Sequence, residues 1–125
     1  MNRRVLVVDD SGLARRRARG ILESAGFEVI EAEDGMAALE RYFVDKPDLV
    51  LLDLVMKGMY GLEVLTKLRE LDRDARVIVV SADVQLSSHE LVKQAGAAGF
   101  LTKPFDAEEI LALIRSTLEG APQCN

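Results

Sequence analysis

Hydrophobic and polar positions along the chain fall into two kinds of segment. Short unbroken apolar runs (Val5-Leu6-Val7-Val8, Leu49-Val50-Leu51-Leu52 and Val77-Ile78-Val79-Val80) are separated by longer stretches in which apolar residues recur every three or four positions. An apolar run without alternation suits a strand covered on both faces, as in a parallel sheet. Recurrence near 3.6 residues suits a helix with one buried stripe. The pattern passes from strand to helix five times, which predicts an α/β fold built on a parallel sheet.

The predicted strands cover residues 4–8, 27–32, 49–53, 76–80 and 99–101. In the second, Phe27, Val29 and Ile30 are interleaved with glutamates, as expected of an edge strand. The first helix offers a stripe of Leu13, Ala14, Ala18, Ile21, Leu22 and Ala25, and Gly26 stands where a left-handed C-cap is wanted. Asp34-Gly35 marks a turn. The second helix carries Met36, Leu39 and Phe43 on one side and is stopped by Pro47. The third, over 62–71, turns Val64, Leu65, Leu68 and Leu71 inward. The fourth, between 86 and 95, has the weakest stripe (Leu91, Val92, Ala95), which suggests a helix able to shift. The fifth opens with Asp106 and Glu109 in capping-box spacing and buries Ile110, Leu111, Ile114 and Leu118.

The three apolar runs each end on an oxygen-bearing side chain: Asp9-Asp10, Asp53 and Ser81. The fifth strand leads to Lys103-Pro104. Right-handed crossovers bring all these ends to one rim of the sheet, where open α/β sheets place their ligand crevices. Carboxylates held about 5 Å apart repel by roughly 3 kcal/mol per pair at an effective dielectric near 20, so the cluster needs a cation. An incomplete, all-oxygen shell favours Mg²⁺. Lys103 adds a mobile positive charge suited to phosphate. A carboxylate beside a divalent cation and a lysine can attack phosphorus and carry a phosphoryl group, and the Ser81 hydroxyl can hydrogen-bond one of its oxygens. Asp9 or Asp10 could also cap the first helix, but one cap needs only one acid.

Size and charge narrow the remaining choices. The 125 residues suit one domain, expected over 1–119 with 120–125 as a short tail. A net charge of −5 argues against nucleic acid as the main partner. The basic cluster Arg15-Arg16-Arg17 with Arg19 reads as a solvated helix face. The apolar runs are too short for a bilayer and the first residues lack a signal-peptide core, so no membrane insertion and a cytoplasmic location are expected. The single cysteine, Cys124, excludes an internal disulfide, and His89 suggests neither metal binding nor catalysis.

With these residues in place, the chain resembles a response-regulator receiver domain of two-component signalling from about Arg4 to Leu118. The family has paired acids after strand one, Asp after strand three, Ser or Thr after strand four and Lys-Pro after strand five. Here these are Asp9-Asp10, Asp53, Ser81 and Lys103-Pro104. The resemblance implies a flavodoxin-like, doubly wound sheet in the order 2-1-3-4-5 with helices on both faces. It implies that Asp53 accepts a phosphoryl group from a sensor histidine kinase or phosphotransfer protein. Mg²⁺ would be held by Asp10, Asp53 and the backbone carbonyl of Val55, with Asp9 acting partly through water. Phe100 matches an aromatic switch position, and the surface of helix four, strand five and helix five would act on a separate downstream protein. The domain is thus expected to stand alone as a signalling switch with self-phosphorylation and self-dephosphorylation chemistry.

Two departures from the family stand out. Lys57 replaces the proline frequent in the loop after the acceptor, which bears on that loop's stiffness. Val55 cannot orient a water, although Asp83 could, so a comparatively long-lived acyl phosphate is expected. Other functional classes fit less well. An Mg²⁺-dependent phosphatase would want a second acid where Val55 stands. A flavin-binding module would want hydroxyls where Asp9-Asp10 would repel the phosphate. A degenerate receiver, kept only for interaction, would not need the complete set of acids and Lys103.

Overall fold

The computed structural model describes residues 3–54, 61–82 and 86–119. The elements are β1 (Arg4–Val8), α1 (Gly12–Ser24), β2 (Glu28–Ala32), α2 (Gly35–Asp45), β3 (Leu49–Asp53), α3 (Gly61–Leu71), β4 (Val77–Ser81), α4 (Leu86–Gln94), β5 (Gly99–Thr102) and α5 (Ala107–Leu118). The five strands are parallel, in the order β2-β1-β3-β4-β5, as the resemblance implies.

Strand alternation divides the core into two layers. Val5, Val7, Leu49, Leu51, Ile78, Val80 and Leu101 face α1 and α5, where they meet Ala18, Leu22, Ile110, Ile114 and Leu118. Leu6, Val8, Val50, Leu52, Val77 and Val79 face α2, α3 and α4, where they meet Ala38, Val64, Leu65, Leu68 and Val92. All five residues of β3 and all five of β4 are buried. Their unbroken apolar sequences therefore report two covered faces. β2, at the edge, has only Ala32 fully buried.

Several predicted helix faces are corrected. On α2, Met36 and Phe43 are 67% and 73% exposed; the buried face is Gly35 and Ala38, with Leu39 and Tyr42 packed beside them. Leu13, Leu71 and Leu91 are also exposed, although they lie on otherwise correct stripes. Asp34-Gly35 is a helix start rather than a free turn: the Asp34 side chain accepts the N–H of Ala37. Ser11, and neither acid of the pair, caps α1 by accepting the N–H of Ala14. The capping box of α5 is as expected, with Asp106 and Glu109 each accepting the other's backbone N–H. Gly26 adopts the left-handed conformation (φ +94°) that the C-terminal end of α1 requires.

Candidate functional site

The carboxyl ends of β1, β3, β4 and β5 form one rim. Asp53 closes β3 in register with Val80 of β4, and Ser81 closes β4 opposite Thr102 of β5. Asp9 follows β1, and its N–H donates to the carbonyl of Ala32 on β2 at 3.1 Å. Asp53 continues the side-chain parity of Leu49 and Leu51, and Lys103 that of Leu101, so both belong to the α1–α5 face of the sheet. Ser81 and Phe100 continue the opposite parity, toward α4.

Oxygens of Asp9, Asp10 and Asp53 lie within 4.8 Å of one another, as predicted. Asp9 and Asp53 are buried and Asp10 is exposed at the rim. Asp9 Oδ1 accepts the N–H of Ser11 at 2.9 Å, and its Oδ2 accepts from Lys103 Nζ at 3.2 Å. The same ammonium stands 3.9 Å from Asp53 Oδ2. Three carboxylates against one ammonium leave two negative charges within the cluster, matching a divalent cation in sign and size of charge. The donors are all oxygens, the choice of a hard cation. Ser81 is buried to 1% exposure beside them. The Lys103–Pro104 bond is cis.

A cavity of about 320 Å³ opens against Asp53 on the α1–α5 side. Asp9, Asp53 and Lys103 form its polar end, and Val7, Leu51, Val80 and Ala18 its apolar wall. Arg17 lies along it, donating to the carbonyl of Phe105 at 2.9 Å with its guanidinium carbon 5.4 Å from the centre of the Phe105 ring. Phe100 is half-buried against the α4 layer. Val55, Lys57, Asp83 and the tail 120–125 with Cys124 lie outside the described residues.

The basic face of α1 is not simply solvated. Arg15 Nε and Arg19 Nε donate to the two carboxylate oxygens of Glu31 at 2.9 and 2.6 Å. The hydrogen bond from Arg19, followed by that from Arg15, holds the Glu31 carboxyl below the usual carboxylate range against the opposing effect of burial. Arg15 Nη1 also reaches the carbonyl of Asp9 at 2.6 Å. Hydrophobic periodicity carries no signal for this contact, which joins residues from three elements.

The rim of paired acids, a strand-end aspartate, a buried serine and a lysine on a parallel sheet has a counterpart among known sequences. A family model of the response regulator receiver domain matches residues 5–115. The chain belongs to the response regulator receiver family. It is 42% identical to the chemotaxis protein CheY of Bacillus subtilis (strain 168) over 119 residues, 94% of this chain and 99% of that protein. A CheY-like receiver from Methanospirillum hungatei JF-1 superposes with a TM-score of 0.92 at 28% identity, covering 96% of both chains. The CheY in a CheX–CheY–BeF3–Mg²⁺ complex from Borrelia burgdorferi superposes with a TM-score of 0.88 at 34% identity, over 92% of this chain and 88% of that one. Receiver domains serve two-component signalling, and the acid cluster of this receiver is compatible with Mg²⁺. Among the described residues, no helix is long and apolar enough to cross a membrane.

Proposed function

We propose that this receiver takes a phosphoryl group on Asp53 from the phosphohistidine of a sensor histidine kinase or phosphotransfer protein. The observation that carries this reading is the meeting of three carboxylates within 4.8 Å beside Lys103, whose ammonium is 3.2 Å from Asp9 and 3.9 Å from Asp53. In the transfer, an Asp53 oxygen forms a bond to phosphorus as the phosphorus–nitrogen bond breaks, and the imidazole nitrogen leaves with that electron pair. Asp10, Asp53 and the backbone carbonyl of Val55 would hold Mg²⁺, with Asp9 acting partly through water, and the ion would supply positive charge to the phosphoryl oxygens. Lys103 turns its ammonium from the carboxylates toward the new phosphoryl oxygens. The Ser81 hydroxyl donates to one of them. The same residues would let a small phosphoryl donor load Asp53 and let water release it.

The output is assigned to the surface of α4, β5 and α5. Ser81 and Phe100 share the α4 side of the sheet, and a cavity of about 250 Å³ lies against Phe100 between Val92, Lys93, Ala97, Ala98 and Gly99. That space accommodates a ring that turns inward as Ser81 is drawn to the phosphoryl group, shifting the population toward a second packing of α4. The target is taken to be a separate protein, a reading supported by the pairing of CheX with CheY in the Borrelia complex. Residues 1–119 are taken as the receiver, 120–125 as a tail, and the cytoplasm as its location.

The test is incubation with phosphoramidate, whose phosphorus–nitrogen bond resembles that of phosphohistidine. With Mg²⁺ the protein should gain one phosphoryl group by intact-mass measurement. Chelation of the metal should prevent the gain. A protein that stays unmodified under both conditions contradicts the reading.

A further inference from the structure

The Asp9–Asp10 pair lies beyond the strand pairing that would otherwise fix its backbone. Pairing of β1 with β3 stops at Val8 and Leu52, and on the β2 side one bond continues, from the Asp9 N–H to Ala32. The next contact is Arg15. Its Nη1 donates to the Asp9 carbonyl at 2.6 Å, and its Nε to Glu31 Oε1 at 2.9 Å. Both side chains are mostly buried, at 18% and 26% exposure. Glu31 stands on β2, an edge strand that contributes no side chain to the acid cluster.

A peptide unit is planar. Fixing the direction of the Asp9 carbonyl therefore fixes the plane joining Asp9 to Asp10, and with it the direction in which Asp10 leaves. A guanidinium can bridge two acceptors in one plane, which a lysine ammonium cannot reproduce. We propose that Arg15, held in place by Glu31, is a positioning residue for the divalent-cation site, locking the Asp9–Asp10 peptide so that both carboxylates meet Asp53. The inference rests on the cation site proposed above and deepens it. The edge strand thereby acts on the site from its second layer.

Charge and position give opposite signs here, which makes the role testable. Removing a cation next to the cluster should tighten cation binding if only charge matters; releasing the peptide should weaken it. Mn²⁺ affinity, read by electron paramagnetic resonance with thermal unfolding alongside, separates the two. Arg15→Gln should weaken binding about tenfold, the usual scale for loss of an outer-sphere partner. Arg15→Lys should recover only part of this. Glu31→Gln should weaken binding less than Arg15→Gln, and adding it to Arg15→Gln should change nothing further. Arg19→Gln, which leaves the Arg15–Glu31 pair intact, should bind within about twofold of wild type, well short of the outer-sphere scale. Should Arg15→Gln fail to fold, Arg15→Lys carries the test because it keeps the charge and loses only the planar bridge: weaker Mn²⁺ binding than wild type supports the role, and equal binding overturns it. An Arg15→Gln protein that is folded and binds Mn²⁺ as tightly as wild type overturns the inference alone. A wild-type protein that binds no divalent cation overturns the site itself.

Discussion

The N–H of Gly61 donates a 2.9 Å hydrogen bond to the carbonyl of Leu54, so the first residue of α3 rests on the backbone that leaves β3. A Cβ at residue 61 would stand 2.6 Å from the Leu54 Cα and carbonyl oxygen and 2.7 Å from the Asp53 carbonyl oxygen. These are backbone atoms and cannot rotate aside. Gly61→Ala would gain up to about 1 kcal/mol in helix propensity but incur roughly 3 kcal/mol of overpacking. A net loss of about 2 kcal/mol is expected, measured by urea unfolding, together with slower phosphorylation because the shifted backbone carries Asp53. Unchanged stability would show that the close approach is not real.

Mutual repulsion in the acid cluster should be visible in the metal-free protein. Asp53→Asn removes repulsion worth roughly 3 kcal/mol per pair at an effective dielectric near 20, offset by the loss of attraction to Lys103. A gain of about 1 kcal/mol in stability is expected at neutral pH without metal. Mg²⁺ should then stabilise the wild type by mass action and leave Asp53→Asn almost unchanged. Equal thermal shifts in both proteins would argue that the cation binds elsewhere.

Lys103 has two roles that one substitution should separate. Its ammonium, 3.2 Å from Asp9, competes with any divalent cation for the same carboxylates. Lys103→Met should therefore bind Mg²⁺ more tightly by calorimetry, while phosphoryl incorporation falls by tenfold or more, about the scale for removal of one charge-stabilising donor. Loss of both together would point to disruption of the site.

The amino-acid sequence made the site more legible than the helix faces. The acids and Lys103 were readable because buried strands have unbroken apolar sequences, and a polar residue ending such a run stands out. The orientation of α2 was not readable. Met36 and Phe43 dominate its hydropathy, yet Ala38 faces the sheet because its small side chain admits close packing, and Tyr42 packs beside the core with its hydroxyl turned to Asp72. Arg15 was hidden for another reason: its partners, Asp9 and Glu31, come from other elements, and a pattern within one helix says nothing about them.

The Tyr42–Asp72 hydrogen bond, 2.7 Å long, predicts a pH window for stability. Burial, then the bond to Asp72, raises the Tyr42 pKa; the same bond, then the N–H of Asp74, lowers that of Asp72. A raised tyrosine pKa gives stability that is present below about pH 10 and lost above it. A lowered aspartate pKa gives stability that is present above about pH 4 and lost below it. Tyr42→Phe should thus cost about 1 kcal/mol between these limits, with the gap to wild type closing on both sides. A gap independent of pH would assign the cost to packing.

Phosphoryl transfer to Asp53 is the central claim, and peptide mapping after reaction with Mg²⁺ and acetyl phosphate tests it most directly. The account predicts one phosphoryl group, located on the peptide containing Asp53 and absent from Asp53→Asn. Equal incorporation in Asp53→Asn, or a phosphoryl group mapped to another residue of the wild type, would contradict it.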